Sequence, residues 1–119
     1  MRESPVRDKS YSFALCIVAV ARQLQDGKRE YVLSRQLLRA GTSIGANVEE
    51  ATAGQTHKDF TAKMAVASKE ARETLYWLRL LTDSDYIAQA DAQNLLADCS
   101  ELIRMLTAIV KTAQQEGSV

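Results

Sequence analysis

Gly41-Thr42-Ser43-Ile44-Gly45 reads G-x-S-x-G, the pentapeptide that presents a nucleophilic serine on a sharp strand-to-helix turn in α/β-hydrolases. That use requires a strand immediately before it. Here Leu37-Leu38-Arg39-Ala40 leads in with helical periodicity. The one histidine of the chain, His57, has no clear route to Ser43 as a general base, and 119 residues are too few for that fold. Read instead as two glycines four apart on one helix face, the same residues mark a place where another backbone approaches closely. Each glycine costs a helix about 1 kcal/mol relative to alanine, so a pair in mid-helix asks for such a reason. No catalytic residue is assigned, and enzymatic activity is not expected.

Metal chemistry fails on counting. A di-iron site in a helical bundle needs two Glu-x-x-His motifs and two further glutamates. One histidine cannot supply them, and no glutamate stands three residues before it. No metal and no cofactor are expected. Two groups of polar residues remain: Asn47, Glu49 and Glu50 after the glycine pair, and Glu70, Glu73 and Thr74 further on. Inward-facing carboxylates need partners, which Arg39, Arg72 or Asn47 are placed to supply. They could form an acid/base pair in a cleft. With nothing nearby resembling a substrate site, the preferred reading is a polar cluster that fixes helix register, with Asn47, Glu50, Glu73 and Thr74 as its members.

Charge is unevenly spread along a chain whose formal net charge is zero. Residues 1–40 hold eight basic and four acidic residues, and the remainder holds seven and eleven. Lys28, Arg29, Arg35 and Arg39 form a candidate basic patch for RNA or DNA phosphates. The competing reading is a solvated surface that pairs with the acidic half, or with a neighbouring copy.

The elements that must carry these residues are helices. Proline occurs once, glycine five times, and no strand pattern is present. The first helix is predicted over about 10–25, with Phe13, Ile17, Val20 and Leu24 as its stripe and Gly27 as its cap. The second runs over about 35–53 behind Ser34 as N-cap, with Leu37, Leu38, Ile44 and Val48. Thr56 and Asp59 resemble a capping box before a third helix over 57–81, whose stripe is Phe60, Met64, Ala67, Ala71, Leu75 and Leu78. The fourth spans about 89–114, with Leu95, Cys99, Leu102, Leu106, Ile109 and Ala113. Leu15 and Val18 on the first helix, and Trp77 and Leu80 on the third, lie off these stripes. They ask for a second contact surface and are the candidate oligomer interface. The fold expected is all-α, an antiparallel up-and-down bundle of four helices in one domain over 1–119.

Composition agrees, with 46% apolar and 25% charged residues. Two cysteines are too few for a disulfide scaffold. Cys16 and Cys99 are read as buried, reduced thiols in a cytoplasmic protein. The apolar run from Phe13 to Ala21 lacks a signal-peptide cleavage site and is far short of the roughly 20 residues that span a bilayer. No membrane partner is expected.

Leu33-Ser34-Arg35-Gln36-Leu37-Leu38-Arg39-Ala40, running on through Gly41 to Ala51, resembles the signature of the bacterial four helix bundle proteins encoded in 23S rRNA intervening sequences. Asp59-Phe60, the run from Ala67 to Thr74, and Trp77-Leu78-Arg79-Leu80-Leu81 resemble its second signature. The resemblance covers about residues 9–110. It implies a left-handed up-and-down bundle that assembles as a homopentamer. It also implies distant kinship with the pentameric accessory protein of diversity-generating retroelements, a basic nucleic-acid binder. Family members often carry Pro where this chain has Gly45 and Gly where it has Ala51, and the neutral charge balance departs from the basic accessory protein. The family supplies no catalytic residues to carry over. Partners expected are further copies of the chain, then RNA or DNA, or an unidentified protein for which the chain is an adaptor.

Overall fold

The computed structural model describes residues 4–117. They form four helices and, among the described residues, no strand: α1 (Pro5–Lys28), α2 (Val32–Thr52), α3 (His57–Asp83) and α4 (Gln89–Gly117). The long axis measures 50 Å against 24 and 20 Å across.

α1 begins five residues earlier than its apolar stripe suggests. Ser4 caps it by accepting the Arg7 N–H at 3.3 Å, and Pro5 occupies the first turn, where a missing N–H costs nothing. The far end departs from expectation as well. Gly27 is not the cap, and no glycine among the described residues has positive φ. The helix continues to Lys28, and Arg29 takes the left-handed conformation at φ 54°. The Arg29 and Glu30 N–H groups both return to the Leu24 carbonyl.

Ser34 is not the N-cap of α2. Tyr31 precedes the helix and offers no side-chain bond. The free N–H groups of the first turn are taken instead by the Glu30 carboxylate, which accepts from Val32 at 3.2 Å, Leu33 at 3.0 Å and Ser34 at 2.7 Å. The Ser34 hydroxyl donates back to the Glu30 carbonyl at 2.7 Å. Burial opposes ionisation of Glu30, but these donors outweigh it and hold its carboxyl below the usual carboxylate range. α3 opens as expected, with Thr56 accepting the Asp59 N–H at 3.0 Å.

One buried cluster runs through all four helices. It contains Phe13, Ile17 and Leu24 of α1, Leu37, Ile44 and Val48 of α2, Met64, Ala71 and Leu78 of α3, and Leu95, Cys99, Leu102 and Leu106 of α4. α2 packs on α1 and α3, and α3 on α4, while α1 meets α4 over a much smaller contact; among the described residues α1 and α3, and likewise α2 and α4, are diagonal, with no Cα atoms within 8 Å of one another. The α1–α2 seam is tight because Gly41 lies under Ile17: a Cβ built there would stand 2.8 Å from Ile17 Cγ2. The thin α1–α4 seam is bridged by Lys9, whose ammonium lies 3.3 Å from both Asp98 and Glu101.

The two cysteines differ, which corrects the expectation that both are buried. Cys99 is buried and donates to the Ala71 carbonyl at 3.3 Å, whereas Cys16 is exposed. Burial pushes the Cys99 thiol up to about 12. A thiol-disulfide reagent at pH 8 should therefore titrate one thiol in the native protein and two in denaturant. Cys16→Ser should abolish the native reaction, and two fast native equivalents would contradict this burial.

Candidate functional site

Three of the four candidate basic residues make no ion pair among the described residues. Lys28, Arg29 and Arg35 are exposed and make no hydrogen bond or ion pair through their side chains among the described residues. Two of them sit where α1 ends and turns into α2. The left-handed backbone at Arg29 fixes the direction in which that side chain leaves the turn. Lys28 lines a cleft of about 480 Å³ with Asp85, Tyr86 and Asp91, over a floor that includes Val20, Leu24 and Leu95.

Arg39 is different and corrects the patch. Its guanidinium crosses to α3, where one nitrogen lies 3.1 Å from Glu70 and another pairs with Glu73. Glu73 also accepts the Trp77 indole N–H at 2.9 Å. Arg39 is thereby neutralised by two carboxylates from another helix, 31 and 34 positions away. The spacing of Arg35 and Arg39 on one face gave no sign of those partners.

The residues proposed to fix helix register do not form one cluster. Asn47 donates to the Ser43 carbonyl in its own helix at 2.8 Å. Glu50 is exposed and pairs with Lys63 at 2.7 Å. Thr74 is fully buried, with its hydroxyl donating to the Glu70 carbonyl at 2.7 Å. Glu50 with Lys63 and Glu73 with Arg39 each join α2 to α3, but no hydrogen bond or ion pair links the four to one another. Ser43, at the centre of the G-x-S-x-G pentapeptide, lies inside α2 and donates to the Arg39 carbonyl at 2.6 Å. His57 is engaged elsewhere, with Nε2 2.7 Å from the Ala113 carbonyl of α4. Among the described residues, no group of three or more His, Cys, Asp or Glu is arranged to hold a metal ion. No helix there is long and apolar enough to cross a membrane.

The apolar candidates divide. Leu15 is 57% exposed, and Val18 and Leu80 are 36% exposed. Trp77 is half-buried against the core and held by Glu73, so it belongs to the fold more than to an outer surface. Its neighbour Tyr76, which meets the indole edge to face with centroids 5.1 Å apart, is 55% exposed. Tyr11, at 63%, joins Leu15 and Val18 at helical spacing. Sequence reading passed over both tyrosines because an amphipathic ring is at home on any surface. The signal that finds them is their alignment with Leu15 and Leu80. The result is one apolar stripe on the outer face of α1 and another on α3, the helix diagonal to it.

Against known proteins, the sequence matches the 23S rRNA-intervening sequence protein family over residues 2–108. It is similar to a crystal structure of a protein of unknown function from the S23 ribosomal protein family of Bacteroides thetaiotaomicron VPI-5482. The identity is 43% and the TM-score 0.87, covering 89% of this chain and 98% of that one. No curated protein matches at a significant level.

Proposed function

Since the chain belongs to the 23S rRNA-intervening sequence protein family, we propose that it is a non-enzymatic, self-assembling helical scaffold of the cytoplasm, built as a homopentamer. The carrying observation is the pair of apolar stripes on α1 and α3. A monomer keeps a scatter of exposed apolar side chains, but aligned rows on opposite corners of the fold ask for a partner on each side. A contact between two different faces propagates around a ring, which is the closed solution for identical chains.

The architecture in this reading is an antiparallel, left-handed up-and-down bundle. Cross-helix partners support the antiparallel part, because their numbers run in opposite directions. Arg7 meets Glu49 while Gln25 meets Ser34, and Lys63 meets Glu50 while Glu73 meets Arg39. His57 likewise meets Ala113, and Ala71 meets Cys99. The left hand is taken from the family resemblance.

Self-assembly is tested by placing charge on each stripe. Leu15→Glu and Leu80→Glu substitute exposed residues, so each should fold with unchanged helical circular dichroism. Each should also reduce the particle mass measured by light scattering. Unchanged mass in both variants would remove these surfaces from the interface.

The ring's task is the binding of RNA phosphates through Lys28, Arg29 and Arg35, which assembly repeats around one rim. The observation favouring this is that none of the three makes an ion pair among the described residues, although Lys28 shares its cleft with Asp85 and Asp91. A labelled single-stranded RNA should bind with an affinity that falls as salt rises, in proportion to the phosphates contacted. Arg29→Glu with Arg35→Glu should flatten that slope and weaken binding at least tenfold, whereas Arg39→Gln should change it little. Binding indifferent to both Arg29 and Arg35 would leave the alternative, a protein–protein adaptor, which the zero net charge and the neutralised Arg39 favour.

A further inference from the structure

The α1 stripe does not end in apolar residues. Continued at helical spacing it reads Asp8, Tyr11, Leu15, Val18, Arg22. The α3 stripe reads Lys69, Tyr76, Leu80, Asp83. All four charged residues are exposed, and none has a side-chain hydrogen bond or ion pair among the described residues. Asp8 and Arg22 are 14 positions apart, and so are Lys69 and Asp83. At 1.5 Å per residue both charged pairs therefore span about 21 Å. The order of signs is inverted between the helices: acid then base along α1, base then acid along α3.

We infer that the α1 stripe of one copy docks in parallel on the α3 stripe of the next, with Asp8 opposite Lys69, Leu15 opposite Tyr76 and Arg22 opposite Asp83. The inference rests on the self-assembly reading above and names the two faces that meet. A single offset of 61 positions aligns all three pairs; it sets Tyr11 opposite Arg72 and Val18 opposite Arg79, one residue before Leu80. The apolar centre is closed at each end by an opposite-charge pair, which sets register and direction.

Self-pairing fits less well. An antiparallel α1–α1 contact centred on Leu15 would also oppose Asp8 and Arg22, but it sets Val18 against Ser12. An α3–α3 contact centred on Tyr76 would likewise oppose Lys69 and Asp83, but it sets Leu80 against Arg72, whose guanidinium already bonds Thr107. A directional contact closes a ring when the rotation between successive copies divides a full turn.

The test separates the two modes of contact. One full-length variant carries Leu15→Glu and Val18→Glu, and another carries Tyr76→Glu and Leu80→Glu. All four residues are exposed, and circular dichroism verifies the helices. Each variant alone should sediment as the 13.2 kDa chain. An equimolar mixture should form a 1:1 dimer of twice that mass, since each supplies the face the other lacks. A dimer of either variant alone would establish self-pairing and overturn the inference. So would a mixture that stays monomeric, or two variants that both keep the wild-type mass; in that last case self-assembly stands and its faces lie elsewhere. A wild-type protein that is itself monomeric overturns the assembly reading and this inference together. The second measurement exchanges charge. Arg22→Asp should weaken association about tenfold by opposing two acids, and adding Asp83→Arg should restore it to within about threefold. Failure of the exchange to restore it would break the proposed register.

Discussion

Replacing Gly41 by alanine should destabilise the protein by about 1–2 kcal/mol, although alanine is the better helix former by about 1 kcal/mol. The added Cβ would stand 2.8 and 2.9 Å from the two Cγ atoms of Ile17 and 3.2 Å from its Cβ. Ile17 is fully buried and branched at Cβ, so it has no free rotamer to turn into. α1 and α2 must then separate along the seam that the glycine allows to close. Gly41→Val should cost several kcal/mol, as overpacked cores do. Gly45 supplies the internal control. A Cβ there meets the Ser10 carbonyl and hydroxyl at 3.4 Å, an ordinary contact, so Gly45→Ala should be neutral or stabilising by up to about 1 kcal/mol. Thermal or urea unfolding of the two alanine variants reads the difference. Combining Gly41→Ala with Ile17→Ala should cost less than the sum of the single changes, because the clash and the cavity offset each other. Equal effects at Gly41 and Gly45 would contradict this account of the seam.

Glu30→Ala should cost about 2 kcal/mol or more, a large effect for a residue in a three-residue link. Its carboxylate is the acceptor for three N–H groups at the start of α2, and it is 8% exposed. Removal leaves those donors with no acceptor from the chain. Glu30→Gln keeps an acceptor oxygen and loses only the charge, so it should fall between wild type and alanine at pH 7. The pH dependence follows from the lowered folded-state pKa. Glu30 contributes its full stabilisation above the unfolded carboxylate pKa, roughly 4.3. That contribution is lost as pH falls through the lower, folded value. Wild type should therefore lose more stability than Glu30→Gln between about pH 5 and pH 2. A gap between the two that is constant with pH would mean that the charge of Glu30 is not what the helix start uses.

Much of this fold is written in local pattern. The spacing of Phe13, Ile17 and Leu24, and of Leu95, Cys99, Leu102 and Leu106, places them in the core because a helix repeats its faces every three or four residues. Thr56 opens α3 because a side-chain oxygen before a first turn satisfies a free N–H wherever it stands. What local pattern could not carry was choice among adequate candidates and pairing across distance. Gly27 and Arg29 are both able to end α1, and the helix runs past the glycine to close at Arg29. Ser34 has the better capping side chain, yet Glu30 reaches three N–H groups at once. The start at Ser4-Pro5 was legible as a cap followed by a first-turn proline, but the apolar stripe that marks the helix begins only at Phe13.

The candidate site was less legible for the same reason. Arg39 and Arg35 share a helix face, and only the arrival of α3 with Glu70 and Glu73 separates a neutralised arginine from a free one. Trp77 stands off the α3 stripe in the sequence, but its indole turns to Glu73 and its ring into the core margin. Cys16 sits in an apolar run and nevertheless faces out, because α1 has only α2 and a narrow strip of α4 to cover it. Leu15 and Val18 do lie on the outer surface that their positions off the stripe imply.

The central claim is that copies of this chain form a closed particle that presents a repeated basic rim. Light-scattering chromatography of the untreated wild-type protein, with absorbance at 260 and 280 nm, tests it most directly. The account predicts a single particle of five times 13.2 kDa, with excess absorbance at 260 nm that nuclease removes without changing the protein mass. A particle of 13.2 kDa at every concentration tested would contradict it.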